Sequence, residues 1–143
     1  MIAYALEPDL TADEFIALLG RTTLGARRPI DDPARIARML SQADVIITAR
    51  FSGRLVGVAR SLTDFCFCTY LSDLAVDEEF QGQGIGYELM RQTHSAAGHQ
   101  TRVILIAAPL ARTYYPRMGL EAHDSCWMIP PDQPLPPRSP AGS

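Results

Sequence analysis

Gln81-Gly82-Gln83-Gly84-Ile85-Gly86 stands between an apolar run, Leu71–Val76, and an amphipathic segment from Tyr87 to Ala97. The pattern reads as a strand feeding a glycine-rich turn that opens directly into a helix. The first N–H groups of a helix have no intrahelical partner, and here the helix dipole backs them. Such a turn holds a phosphate or pyrophosphate. The glycines keep side chains clear of the ligand and allow positive φ where the chain must curl around it. The first expectation is therefore an anionic, nucleotide-bearing ligand.

Outward from the turn, the chain reads as one mixed α/β unit. Upstream, Ile2–Leu6 is predicted as an edge strand, and Thr11 with Glu14 three residues on forms a capping box. The helix that follows carries Phe15, Leu18 and Leu19 at helical spacing. Gly20–Pro29 reads as a loop. A second helix is predicted from Asp31-Asp32-Pro33, with Ile36, Met39 and Leu40 as its apolar positions. Asp44–Phe51 and Arg54–Ser61 form a hairpin through Ser52-Gly53, and Phe65–Val76 is the strand that delivers the turn. Ile85, Leu89, Thr93 and Ala97 share one helical face, flanked by Met90. Downstream, Arg102–Ala107 is predicted as a strand buried within the sheet, Leu110–Arg117 as a short helix ended by Gly119-Leu120, and Cys126–Ile129 as the last strand. The domain is expected to span 1–129. The final fourteen residues, 130–143, hold six prolines and read as a disordered tail. Its two P-x-x-P matches are attributed to chance.

The 143 residues suffice for one domain with a real core, at 47% hydrophobic and 20% charged. A net charge of −3 argues against nucleic acid as a partner. No apolar run approaches the roughly 18 residues that span a membrane, and no secretory signal is visible, so a cytoplasmic location is expected. Cys66, Cys68 and Cys126 are an odd set without metal-ligand spacing, which argues against a disulfide frame and a zinc site. Cys66 and Cys68 are read as small buried hydrophobes on one strand face. His94, His99 and His123 lack partner spacing, so no metal is expected. All thirteen basic residues are arginine, and asparagine is absent, as GC-rich coding would produce.

Three phosphate-binding signatures compete for the turn. The Walker pattern needs a lysine, and the chain has none. The dinucleotide fingerprint needs a third glycine near Leu89 and a place early in a βαβ unit. The remaining pattern, Gln-x-x-Gly-x-Gly, is met by Gln81, Gly84 and Gly86, and it resembles the acetyl-coenzyme A pyrophosphate loop of the GNAT N-acetyltransferase superfamily. Leu71-Ser72-Asp73-Leu74-Ala75-Val76-Asp77 is similar to that family's fourth strand. Tyr114-Tyr115-Pro116-Arg117-Met118-Gly119-Leu120 is similar to its Phe-Tyr-x-Lys-x-Gly-Phe segment. The order of elements also matches, from Ile2 to Ile129. The resemblance implies a bacterial, acetyl-CoA-dependent N-acetyltransferase with a mostly antiparallel sheet, flanked by helices and splayed between its fourth and fifth strands.

By that resemblance, the backbone from Gln81, Gly82, Gln83, Gly84, Ile85 and Gly86 cradles the pyrophosphate. The main chain of Leu74, Ala75 and Val76 pairs with the pantetheine arm, and an N–H near Leu74 meets the acetyl oxygen. Amine attack on a thioester needs a neutral amine, a stabilised oxyanion and a proton for the departing thiolate. Tyr115 occupies the family position whose phenol supplies that proton, with Tyr114 as its structural neighbour. Polyamine acetyltransferases of the superfamily carry Tyr-Leu-Glu-Asp where this chain has Tyr70-Leu71-Ser72-Asp73. The missing glutamate leaves two routes open, proton removal through water near Tyr70 and Ser72 or an amine that arrives neutral. Asp73 is expected on the opposite strand face, as a structural acceptor. Ala108-Pro109 stands where many relatives place an asparagine that contacts the cofactor arm. The acceptor is expected to be a small-molecule or peptide amine, in a pocket shaped by Gly20–Pro29 and the first two helices, where Arg27-Arg28 would suit an acidic acceptor. Homodimer formation is left open. The alternative is an acyl-CoA-binding sensor that keeps the fold without turnover.

Overall fold

The structure is a computed structural model that describes residues 1–139, so 140–143 of the proline-rich segment lie outside the described residues. Strands β1 (Ile2–Leu6), β2 (Val45–Phe51), β3 (Arg54–Thr63), β4 (Cys68–Val76) and β5 (Arg102–Ile104) form one sheet in that order. The first four are mutually antiparallel, and β5 runs parallel to β4. Helices α1 (Ala12–Leu19) and α2 (Pro33–Ser41) cover one face, α3 (Ile85–Ala97) covers the other, and α4 (Tyr114–Arg117) follows β5.

Local signals set the ends of these elements. Thr11 caps α1 by accepting the Glu14 N–H at 3.3 Å, and Asp32 caps α2 ahead of Pro33 by accepting the Arg35 N–H at 3.1 Å. Ser52 and Gly53 take φ of 50° and 82°, the left-handed pair that a tight hairpin requires.

The core has two layers because β2 is buried on both faces. Ile46 packs with Phe15, Leu18, Leu19, Ile36 and Leu40 beneath α1 and α2, whereas Val45, Ile47 and Ala49 pack with Ile85, Leu89 and Met90 beneath α3. The predicted α3 face of Ile85, Leu89, Thr93 and Ala97 is buried throughout. Gly57 lets this helix seat low on the sheet. A Cβ there would lie 3.0 Å from Leu89 Cδ1 and 3.2 Å from Ile85 Cγ2.

Two irregularities shape the functional end. The β3–β4 register passes from Arg60↔Asp73 to Ser61↔Leu71, which leaves Ser72 as a bulge. The β4–β5 pairing covers only Cys68↔Arg102, Thr69↔Val103 and Tyr70↔Ile104. Beyond Tyr70, β4 runs on to Val76 with that side unpaired, and this is the splay between the fourth and fifth strands.

Several local expectations are corrected. The strand predicted over Arg102–Ala107 stops at Ile104 and forms the sheet's edge instead of its interior, with Ile104 and Ile106 exposed. The reason lies in Cys126–Ile129, the predicted last strand, which takes no strand pairing and leaves Trp127 solvated. Cys66 and Cys68 are exposed, not buried. Asp64 accepts N–H groups from Cys66, Phe67 and Cys68, so the chain turns there and β4 begins only at Cys68. The Gly20–Pro29 loop contains a 3-10 turn at Thr23–Arg27, and Leu110–Arg117 divides into a 3-10 turn at Pro109–Ala111 and α4. Residues 130–139 contain neither helix nor strand and are exposed.

Candidate active site

Asp77 anchors the segment that leads into the glycine turn. Its side chain is buried, accepts the Glu79 N–H at 2.9 Å and receives Arg21 Nε at 2.7 Å. Burial alone pushes this carboxyl up, but the Glu79 N–H and the Arg21 guanidinium outweigh it and hold the pKa below the ordinary value. Arg21 also donates to the Leu55 carbonyl at 2.8 Å, so one side chain ties β3 to the end of β4.

Past Asp77, Gly82 and Gly84 take φ of 79° and 81°, and a Cβ on either would point into open space. Gly84 is the N-cap of α3 and supplies no side-chain cap. Among the described residues, no protein acceptor takes the N–H groups of Gly82 or Gly84. The sequence expected this row of free donors, and it lies at the head of a thirteen-residue helix. The Gln81 side chain turns away from it and donates to the Val76 carbonyl at 3.2 Å.

These donors open into a cleft of about 750 Å³. Leu74, Ala75 and Val76 form one wall, Gln81, Gly82, Gly84, Ile85 and Gly86 the head, and Tyr114 and Tyr115 the facing side. Every expected cofactor-binding position except Gln83 lines it. The two tyrosine rings meet edge-to-face, 5.3 Å between centroids. Burial raises the Tyr115 phenol above its ordinary pKa, and the neighbouring Tyr114 adds to the shift. Burial raises Tyr114 as well.

Tyr70 and Ser72 are not brought into this cleft. Tyr70 is partly exposed on the stretch of β4 that pairs with β5. Ser72 Oγ accepts from Arg60 Nη2 at 3.0 Å, and its carbonyl accepts from Arg28 Nη2 at 2.7 Å. Asp73 is fully buried and ion-paired with both Arg28 and Arg60. Ser72 and Asp73 were expected on opposite faces, yet both reach the Arg60 guanidinium, because the bulge turns two successive side chains the same way.

The sequence reading missed Arg21, Arg60 and the structural part played by Arg28. Only the Arg27-Arg28 doublet offered a signal, and it pointed to an acidic acceptor, not to an ion pair with Asp73. Thr22 and Leu24, from the segment between α1 and α2, also line the cleft without any local pattern that marks them. His94 bonds the Thr101 carbonyl at 3.0 Å and meets His99 edge-to-face. Among the described residues, no three of His, Cys, Asp and Glu are grouped so as to hold a metal ion.

Comparison with known proteins agrees with this geometry. The family profile of the acetyltransferase (GNAT) domain matches residues 27–126. A GNAT-family acetyltransferase of Streptococcus pneumoniae superposes with a TM-score of 0.72 at 22% identity, covering 94% of this chain and 100% of that one. A ribosomal-protein-alanine N-acetyltransferase of Brucella melitensis gives 0.68 at 21% identity, over 91% and 99% of the two chains. An aminoglycoside acetyltransferase from a soil metagenomic sample gives 0.65 at 22% identity, over 94% and 96%. At these identities the likeness establishes the fold. No match emerges among curated protein sequences. With the profile spanning most of its length, the chain is a member of the GNAT acetyltransferase family.

Proposed function

We propose that this protein transfers an acetyl group from acetyl-CoA to a primary amine of a small molecule or peptide, by direct attack within a ternary complex. The observation that carries the reading is one continuous cleft. It joins free N–H groups at the head of α3, the unpaired edge of β4 and two partly buried phenols. The family's co-substrate is acetyl-CoA, and the residues present fit it. Glycines with open space at φ near +80° suit a pyrophosphate, and the unpaired Leu74–Val76 edge suits the amide-bearing pantetheine arm. When bound, that group supplies the activated acyl carbon.

The chain's own residues do the rest. The Leu74 N–H lies on the free edge, placed to stabilise an acyl oxygen. Tyr115 holds its proton at neutral pH, with burial raising its pKa, and is the acid for the departing thiolate. Ser72 is committed to Arg60 and its neighbours lack the glutamate of polyamine enzymes. The amine therefore arrives neutral, or loses its proton to water beside Tyr70 and Ser72. The acceptor class, a peptide or small-molecule amine, is our reading, and structural neighbours named as a ribosomal-protein-alanine and an aminoglycoside acetyltransferase support it. The domain is taken as 1–129, followed by a tail, in a cytoplasmic protein. No helix among the described residues is long and apolar enough to cross a membrane.

Amine-dependent thiol release from acetyl-CoA, measured over a panel of primary amines, tests the proposal. A second reading, an acyl-CoA sensor, draws on the engagement of Ser72 by Arg60. Coenzyme A binding without turnover of any amine, and unaltered by Tyr115→Phe, supports that sensor instead.

A further inference from the structure

The side chain of Tyr114 enters the glycine turn itself. A Cβ built on Gly86 would clash with the Tyr114 hydroxyl and lie 3.2 Å from its Cζ. The phenol therefore fills the volume that a side chain would take at the second residue of α3. Glycine at position 86 is what admits it. The hydroxyl is set against Gly86 in the first turn of α3. Among the described residues it has no hydrogen-bond partner, and Tyr114 lines the same cleft as Gly82 and Gly84. Tyr115 lies deeper, packed against the core under α3. The two adjacent phenols thus stand at different depths of one cleft.

We propose that the Tyr114 hydroxyl is a ligand for the pyrophosphate of coenzyme A, donating a hydrogen bond alongside the backbone N–H groups of the glycine turn. This rests on the acetyl-CoA reading above and adds a side-chain donor to a cradle otherwise built of main chain. The chemistry suits the position. A neutral phenol is a donor, an anionic oxygen is the strongest acceptor available to it, and charge-assisted bonds exceed neutral ones. Burial, which raises the Tyr114 pKa, keeps that proton in place at neutral pH. The two tyrosines then divide the labour, Tyr114 holding the anion and Tyr115 serving the sulfur.

Calorimetric titration of coenzyme A into the wild-type protein, Tyr114→Phe and Tyr115→Phe tests this without turnover. Tyr114→Phe keeps the ring that packs on Gly86 and Tyr115, so the fold is retained. Its Kd for coenzyme A is expected to rise about 10- to 100-fold, the loss of one hydrogen bond to a charged group. Tyr115→Phe is expected to stay within about twofold of wild type. Pantetheine, which has the thiol arm and no phosphate, is expected to compete equally well against wild type and Tyr114→Phe. An unchanged Kd in Tyr114→Phe, or an equal proportional loss for pantetheine, overturns the assignment and leaves the acetyl-CoA reading standing. A wild-type protein with no affinity for coenzyme A overturns both.

Discussion

Arg28 and Asp73 meet Nε to Oδ1 at 2.5 Å across 45 residues of sequence, and the same guanidinium bonds the Ser72 carbonyl. The loop between α1 and α2 is thereby bolted to the bulge of β4. Two guanidiniums face one buried carboxylate here, so the pair with Arg60 leaves the underside of β4 with a surplus positive charge.

Removing Asp73 strands Arg60 in the interior and leaves half-buried Arg28 without its carboxylate. Asp73→Ala is expected to lose about 3–5 kcal/mol of stability, the usual cost of breaking a buried ion pair from one side. Urea unfolding measures it. Because this carboxylate is a bolt and not a base, the folded fraction of the variant should keep the wild-type dependence of kcat/KM on pH. An acidic limb lost with Asp73 would contradict the structural assignment.

Tyr115→Phe removes the proposed acid and keeps the ring. A loss of about 10²-fold in kcat is expected, at the lower end of general acid catalysis. The pH profile carries the sign. The folded-state pKa is raised above 10.0, so the phenol remains protonated through pH 10 and the fall due to its ionisation lies higher still. That limb should be missing from the phenylalanine variant. Steady-state rates up to pH 11 provide the check.

The Asp64 carboxylate accepts three successive backbone N–H groups, from Phe67, Cys66 and Cys68, and its pKa is lowered from 3.8 to about 2. A depressed folded-state value means stabilisation that is complete above the unfolded pKa and fades as pH falls through the folded one. The wild type should therefore exceed Asp64→Asn in Tm at pH 7, with the gap closing between about pH 4 and pH 2. A gap that persists at pH 2 would show that the turn gains nothing from ionisation.

Gly84 holds φ of +81° at the N-cap of α3. Gly84→Ala adds no clash, since nothing lies within 4 Å of a Cβ there, and its cost is the left-handed backbone, about 1–2 kcal/mol. Thermal unfolding and coenzyme A titration should register a modest loss in the first and a larger one in the second, because the free donors depend on that conformation.

What could be read from the sequence was local. The Thr11 and Asp32 caps, the Ser52-Gly53 hairpin and the buried face of α3 each depend on residues a few positions apart, and all stand in the structure. The glycine turn belongs with them, with positive φ at Gly82 and Gly84 as the glycines predict. The ion-pair cluster beneath β4 was not. Arg28, Arg60 and Asp73 come from three separate segments, and the bulge at Ser72 that unites them leaves no trace in the alternation of β4. The sheet's edge misled for a related reason. Arg102–Ala107 has the composition of an interior strand, but composition cannot say whether another strand arrives outside it, and Cys126–Ile129 does not.

Gly57 does not itself line the cleft, yet it governs the cleft's gauge. It pairs with Val76, the last residue of β4, and sits under Ile85 and Leu89. Any side chain at 57 would act as a shim beneath the first two turns of α3, lifting the glycine-turn end off the strand it faces. The clearance between α3 and the open edge of β4 is thus machined into β3.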